Sequence, residues 1–151
     1  MNKKEQPGII VKSIHQHKCR FERKQGGRGA FTSNFTFRYG FRILDDGNGM
    51  AELTLSAKGI SNDSKIDVYD SEITYIGIFG SLEGSENMSL EEFLANNAAA
   101  LLMPYIRESI SSFSAKAGLP VVYLPPINIV ALMKQQAIEK KEALPADTES
   151  S

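Results

Sequence analysis

Cysteine occurs once in the 151 residues, as Cys19, and histidine twice, as His15 and His17. One cysteine excludes an intrachain disulfide framework and fits a reducing compartment. Two histidines and one cysteine supply too few soft ligands for an ordinary zinc site, so the His15/His17 pair reads as a solvated polar strand and no metal is expected. No charge of one sign dominates: the net charge is −1, and nothing in the total favours nucleic acid or an anionic membrane. The longest apolar run, "AAALLM" at 98–103, falls far short of the roughly 20 residues that span a bilayer, and from "MNKKEQPGIIVKSIHQ" no secretory signal is expected. The expectation is a cytoplasmic protein. No nucleophile–base or paired-acid constellation stands out, so no enzymatic activity and no cofactor are expected. Cys19 has only His17 nearby and reads as a structural thiol.

Aromatic residues are present and concentrated. The stretch "FTSNFTFRYGFRI", 31–43, alternates Phe31, Phe35, Phe37, Tyr39, Phe41 and Ile43 with polar positions, and in a strand such alternation builds one aromatic face. Burying one large apolar side chain is worth roughly 1.5–3 kcal/mol, so five rings represent on the order of 10 kcal/mol, comparable with a domain's net stability of about 5–15 kcal/mol. That face must be covered by helices, by another subunit or by a bound partner. Phe37, Tyr39, Phe41 and Ile43 are expected under the helices, whereas Phe31 and Phe35 adjoin the glycine-rich loop "KQGGRG".

The chain reads as a single domain over 9–143, with a flexible segment at 1–8 and a disordered tail at 144–151. Strands are expected at 9–22, 31–43, about 50–60 and about 65–79, with "LDDGNG" and "SNDS" as turns. A long helix then opens at Ser89, with Glu92 three residues later as a capping box, and closes at Gly118. Pro104 falls inside it and should kink it. Ala99, Ala100 and Met103 widen its apolar surface beyond one stripe, which implies a second packing face. Three prolines make "LPVVYLPPIN" extended, and a shorter helix follows Asn128. The fold class is α+β, a four-stranded antiparallel sheet followed by one long and one short helix.

Residues 96–133, "NNAAALLMPYIRESISSFSAKAGLPVVYLPPINIVALM", resemble the SecB family of protein-export chaperones. Pro104, Tyr105, Arg107 and Glu108 match its Pro-Tyr-x-Arg-Glu helix. Pro120, Leu124, Pro126, Ile127 and Asn128 match its proline-bearing connector, and Ala131 with Leu132 its final helix; "EITYIGIFG", 72–80, is similar to its fourth strand. The resemblance implies a homotetramer, a dimer of dimers whose long helices meet through Ala99, Ala100, Met103 and Arg107. It implies ATP-independent holding of unfolded polypeptides in an apolar groove lined by Val121, Tyr123, Leu124, Ile129, Leu132 and Met133, with Phe31 and Phe35 facing them. Two partners are implied besides such clients: the SecA motor, met near Glu22 and Asp67, or an antitoxin held by a dedicated chaperone of this type. The strand around Lys18, Arg20 and Arg23 is basic where the family's motor-binding surface is acidic, and the tail after Leu144 does not resemble the motor-binding tail.

Overall fold

The computed structural model describes residues 8–25, 29–82, 88–126 and 129. Four strands come first: β1 (Ile9–Arg23), β2 (Phe31–Ile43), β3 (Gly49–Ser61) and β4 (Asp67–Ser81). Their order in the sheet is β1-β4-β3-β2, all neighbours antiparallel. β2, β3 and β4 form a meander joined by tight turns, in which Gly47 adopts φ +88° between Leu44 and Asn48. The longer first connection carries β1 across to β4, leaving β1 and β2 as the two edges.

Alternation along β3 puts Ala51, Leu53, Leu55 and Ala57 on one buried face, in register with Ile73 and Tyr75 of β4 and with Phe35, Phe37 and Tyr39 of β2. Two helices cover that face, α1 (Leu90–Asn96) and α2 (Ala98–Lys116). The Ser89 hydroxyl accepts the Glu92 amide at 3.1 Å, the cap that the sequence announces. Periodicity predicted one helix through this region; the chain instead breaks at Asn97, whose backbone (φ −124°, ψ −32°) leaves the helix and restarts it. The apolar phase continues across the break, through Ala98, Leu102, Met103, Ile106 and Ile110, which is why hydrophobic spacing does not reveal it. Pro104 does not end α2. It has no amide to offer the Ala100 carbonyl, and both residues lie on the exposed side of the helix.

Gly118 closes α2 as expected, with φ +76°. The Leu119 amide reaches the Ser114 carbonyl at 3.1 Å and the Gly118 amide the Ala115 carbonyl at 3.0 Å, a Schellman motif. The Arg23 guanidinium, from the end of β1, donates to the Ala117 carbonyl at 2.6 Å, placing a cation on the negative end of the helix. No helix among the described residues is long and apolar enough to cross a membrane.

Two further expectations need correction. Phe41 and Ile43 are not under the helices: they are 39% and 47% exposed, because β2 is an edge strand and α1, only seven residues long, reaches it at Tyr39. Ala99 and Met103 are buried within the chain's own fold, which leaves Ala100, Leu101, Pro104, Tyr105, Arg107 and Glu108 on the exposed side of α2. The shorter helix after Asn128 and the tail at 144–151 lie outside the described residues, apart from Ile129, which packs against the core.

Candidate client groove

One row of residues crosses the buried face of the sheet at its β1 C-terminal end. Arg23 pairs with Tyr69, Tyr69 with Gly59, and Gly59 with Ser33. The Tyr69 ring lies flat across Gly59: a Cβ there would come within 2.4 Å of the ring, so only glycine admits it. At the far side the Tyr69 hydroxyl donates to Ser33 Oγ at 2.7 Å. Phe21 stacks on Tyr69 with ring centroids 5.2 Å apart, and Phe31 meets it edge-on at 5.8 Å. Burial pushes the Tyr69 phenol up, and its bond to Ser33 offsets part of that. The result is a packed aromatic floor.

Against this floor runs the connector after α2. Leu119, Val122 and Leu124 turn inward and are buried, whereas Val121 and Tyr123 turn outward, 40% and 73% exposed. Between connector and β2 lies an open groove of about 390 Å³ lined by Ala30, Phe31, Ser33, Phe35 and Pro120–Tyr123. No charged side chain is among those lining residues. Its walls are mainly apolar, the Ser33 hydroxyl oxygen among them accepts from Tyr69, and it is open along one side. Such a channel can accept apolar side chains from an extended chain but offers nothing to activate a bond.

Four of the eight residues expected in the groove therefore meet there: Phe31, Phe35, Val121 and Tyr123. Leu124 does not line it, since it is buried in the core beneath; in an extended segment it falls on the opposite side from Tyr123. Ile129 packs against the core, and Leu132 and Met133 lie outside the described residues. Sequence reading missed Tyr69, Gly59 and Ser33, whose relation exists only through strand register. It also missed Ser111 and Ser114, which tie the connector to α2.

The remaining sequence candidates fall on the opposite face of the sheet or at its edge. Lys18 bonds Glu72 at 2.6 Å, and that bond holds the Glu72 carboxyl below the usual carboxylate range. Arg38 reaches the same carboxylate at 3.4 Å, and Arg20 lies 3.4 Å from Asp70 and 3.6 Å from Glu22. Lys24 bonds Glu22 at 2.8 Å, holding it low as well, and Lys58 lies 3.5 Å from Asp67. The basic strand is thus half of an ionic ladder on that face. The rings of His15 and His17 meet edge-on at 6.4 Å, but no three His, Cys, Asp or Glu among the described residues are grouped to hold a metal. A register shift between Gln16 and Lys18 interrupts the alternation that linked His17 with Cys19. Partial desolvation pushes the Cys19 thiol up, the reverse of an activated nucleophile.

Comparison with known proteins bears on the whole of this architecture. Among curated relatives, the protein-export protein SecB of Dichelobacter nodosus is 42% identical over 84 residues, 56% of this chain and 52% of that protein. The SecB of Chromobacterium violaceum is 34% identical over 100 residues, 66% and 65% of the two chains. That of Alkalilimnicola ehrlichii is 30% identical over 105 residues, 68% of this chain and 54% of the relative. The chain thus spans between about half and two thirds of the length of these relatives. Among solved structures, a SecB-like chaperone of Mycobacterium tuberculosis, in complex with a ChAD peptide from the HigA1 antitoxin, superposes with a TM-score of 0.64 over 80% of this chain and 91% of its own. At 15% identity that agreement speaks for the fold. The family model for SecB, preprotein translocase subunit SecB, matches residues 4–140, which takes in the sheet, both helices and the connector, and the chain therefore belongs to the SecB family.

Proposed function

We propose that this protein is an ATP-independent holdase, binding unfolded or slowly folding polypeptides in the groove between β2 and the connector, in the service of protein export. The observation that carries this reading is a preformed, uncharged channel that keeps Val121 and Tyr123 in water on a fixed wall opposite Phe31 and Phe35. Leaving such apolar surface exposed has a stability cost that a single folded subunit does not need to bear. Contacts of this kind are individually weak and gain strength when one chain occupies several grooves at once. Assembly of copies supports that, and the exposed α2 face bearing Ala100, Leu101, Tyr105 and Arg107 is the surface proposed for it, giving a homotetramer.

The test is suppression of aggregation. A chemically unfolded, slowly folding protein diluted into buffer should stay soluble with about one assembly per client chain. Tyr123→Ser should weaken client binding by about 5- to 30-fold, the equivalent of roughly 1–2 kcal/mol of lost apolar burial, with circular dichroism and mass unchanged. Unaltered aggregation in the presence of the wild-type protein would sink the reading.

A second reading, a dedicated chaperone for one partner such as an antitoxin, draws on the sheet's outer face. Glu22 and Asp67, the residues proposed to meet the SecA motor, already face Lys24, Arg20 and Lys58. They offer a balanced ladder instead of an acidic field. The structural neighbour was solved holding an antitoxin peptide. Measured binding to SecA that Glu22→Lys abolishes would favour export, whereas capture of a single neighbour-encoded protein without SecA affinity would favour the dedicated role.

A further inference from the structure

Ser111 and Ser114 lie one turn apart on α2, facing the connector. The Ser111 hydroxyl donates to the Val122 carbonyl at 2.9 Å. The Ser114 hydroxyl accepts the Val122 amide at 2.9 Å and donates to the Ser111 carbonyl at 3.0 Å. Both main-chain groups of Val122 are therefore held by one helix, and Ser114 is fully buried in doing so. Helices make little use of serine in their interior because its hydroxyl competes for backbone groups. Here that tendency is directed at another segment.

The consequence for the groove follows from alternation. With Val122 fixed inward, at 4% exposure, its two neighbours in an extended chain must point the other way. Those neighbours are Val121 and Tyr123, the outward wall. Prolines at 120, 125 and 126 stiffen the segment on either side without supplying a donor to any ladder. We propose that Ser111 and Ser114 are positioning residues for client binding: they hold the connector in a binding-ready conformation, so that a client meets a wall whose ordering entropy has already been lost. The proposal rests on the groove being the client site.

Ser111 gives the cleaner test, because Ser111→Ala removes one donor to Val122 and leaves its own main-chain carbonyl to Ser114. Losing one such bond, worth about 0.5–1.5 kcal/mol, should weaken binding of an unfolded client about 2- to 10-fold. Amide exchange at Val122 and Tyr123 should accelerate, and Ser111→Thr, which keeps the hydroxyl, should restore both. Ser114→Ala should do the same more strongly; if that variant does not fold, the Ser111 pair decides. Client affinity in Ser111→Ala equal to that of a binding-competent wild type, or unchanged exchange at Val122, would overturn the positioning role. A wild-type chain that binds no unfolded polypeptide at all would instead overturn the chaperone reading on which it rests.

Discussion

Tyr39 joins the edge strand to the first helix: its hydroxyl donates to the Leu94 carbonyl at 2.5 Å, and Gly49 leaves the space into which the Leu94 side chain packs. Burial pushes the Tyr39 phenol well above its ordinary range, and Tyr69 shifts the same way. A folded pKa raised above the unfolded value of about 10 means stability that is complete below that pH and lost as pH rises through the folded value. Urea midpoints should therefore fall as pH passes about 10. Tyr39→Phe should cost about 1 kcal/mol at neutral pH through the lost hydrogen bond and make that alkaline decline shallower, with Tyr69 sustaining what remains. An unchanged alkaline slope in Tyr39→Phe would show that ionisation of this phenol is not coupled to unfolding.

At the scale of elements, the end of α2 matters most, since the groove wall begins there. Gly118 adopts φ +76° and a Cβ on it would stand 3.0 Å from the Arg23 guanidinium. Gly118→Ala should lower stability by about 1–2 kcal/mol, the usual cost of the left-handed conformation for a residue with a Cβ, read by chemical denaturation. This element boundary was legible in the sequence, as were the Ser89 cap and the "LDDGNG" turn, because each depends on residues within one turn of the chain. The break at Asn97 was not, since buried positions keep their phase across it. The aromatic row at 31–43 announced its face correctly, yet alternation carries no information about how far a covering helix extends. That is why Phe41 and Ile43 were misplaced while Phe37 was not. Leu124 failed for a related reason: a motif match names a segment, whereas inward and outward are set by which residue of it is pinned.

For the molecule as a whole, the uncovered side of α2 is the remaining apolar account. Leu101 and Tyr105 are 41% and 45% exposed, and Tyr105 packs beside Tyr75, whose hydroxyl bonds Ser109 at 2.8 Å. Leu101→Glu with Tyr105→Glu should leave the subunit folded and reduce the mass in solution to that of smaller species; an unchanged mass would move the assembly surface elsewhere. The sequence named Ala100 and Arg107, which are exposed on α2, together with Ala99 and Met103, which are buried, because which edge of a wide apolar stripe meets the sheet depends on the crossing geometry of helix and strands. The strand order carries a further consequence. β2, β3 and β4 can pair as they emerge, each with its predecessor, but the partner of β1 is β4. During synthesis the first strand made is therefore the last to be paired, and it waits while some forty residues are added between Arg23 and Asp67. Lys12, His15, His17, Lys18 and Arg20 set polar and charged side chains among the apolar ones of that waiting strand, and charge on an unpaired edge is what discourages a second chain from pairing with it.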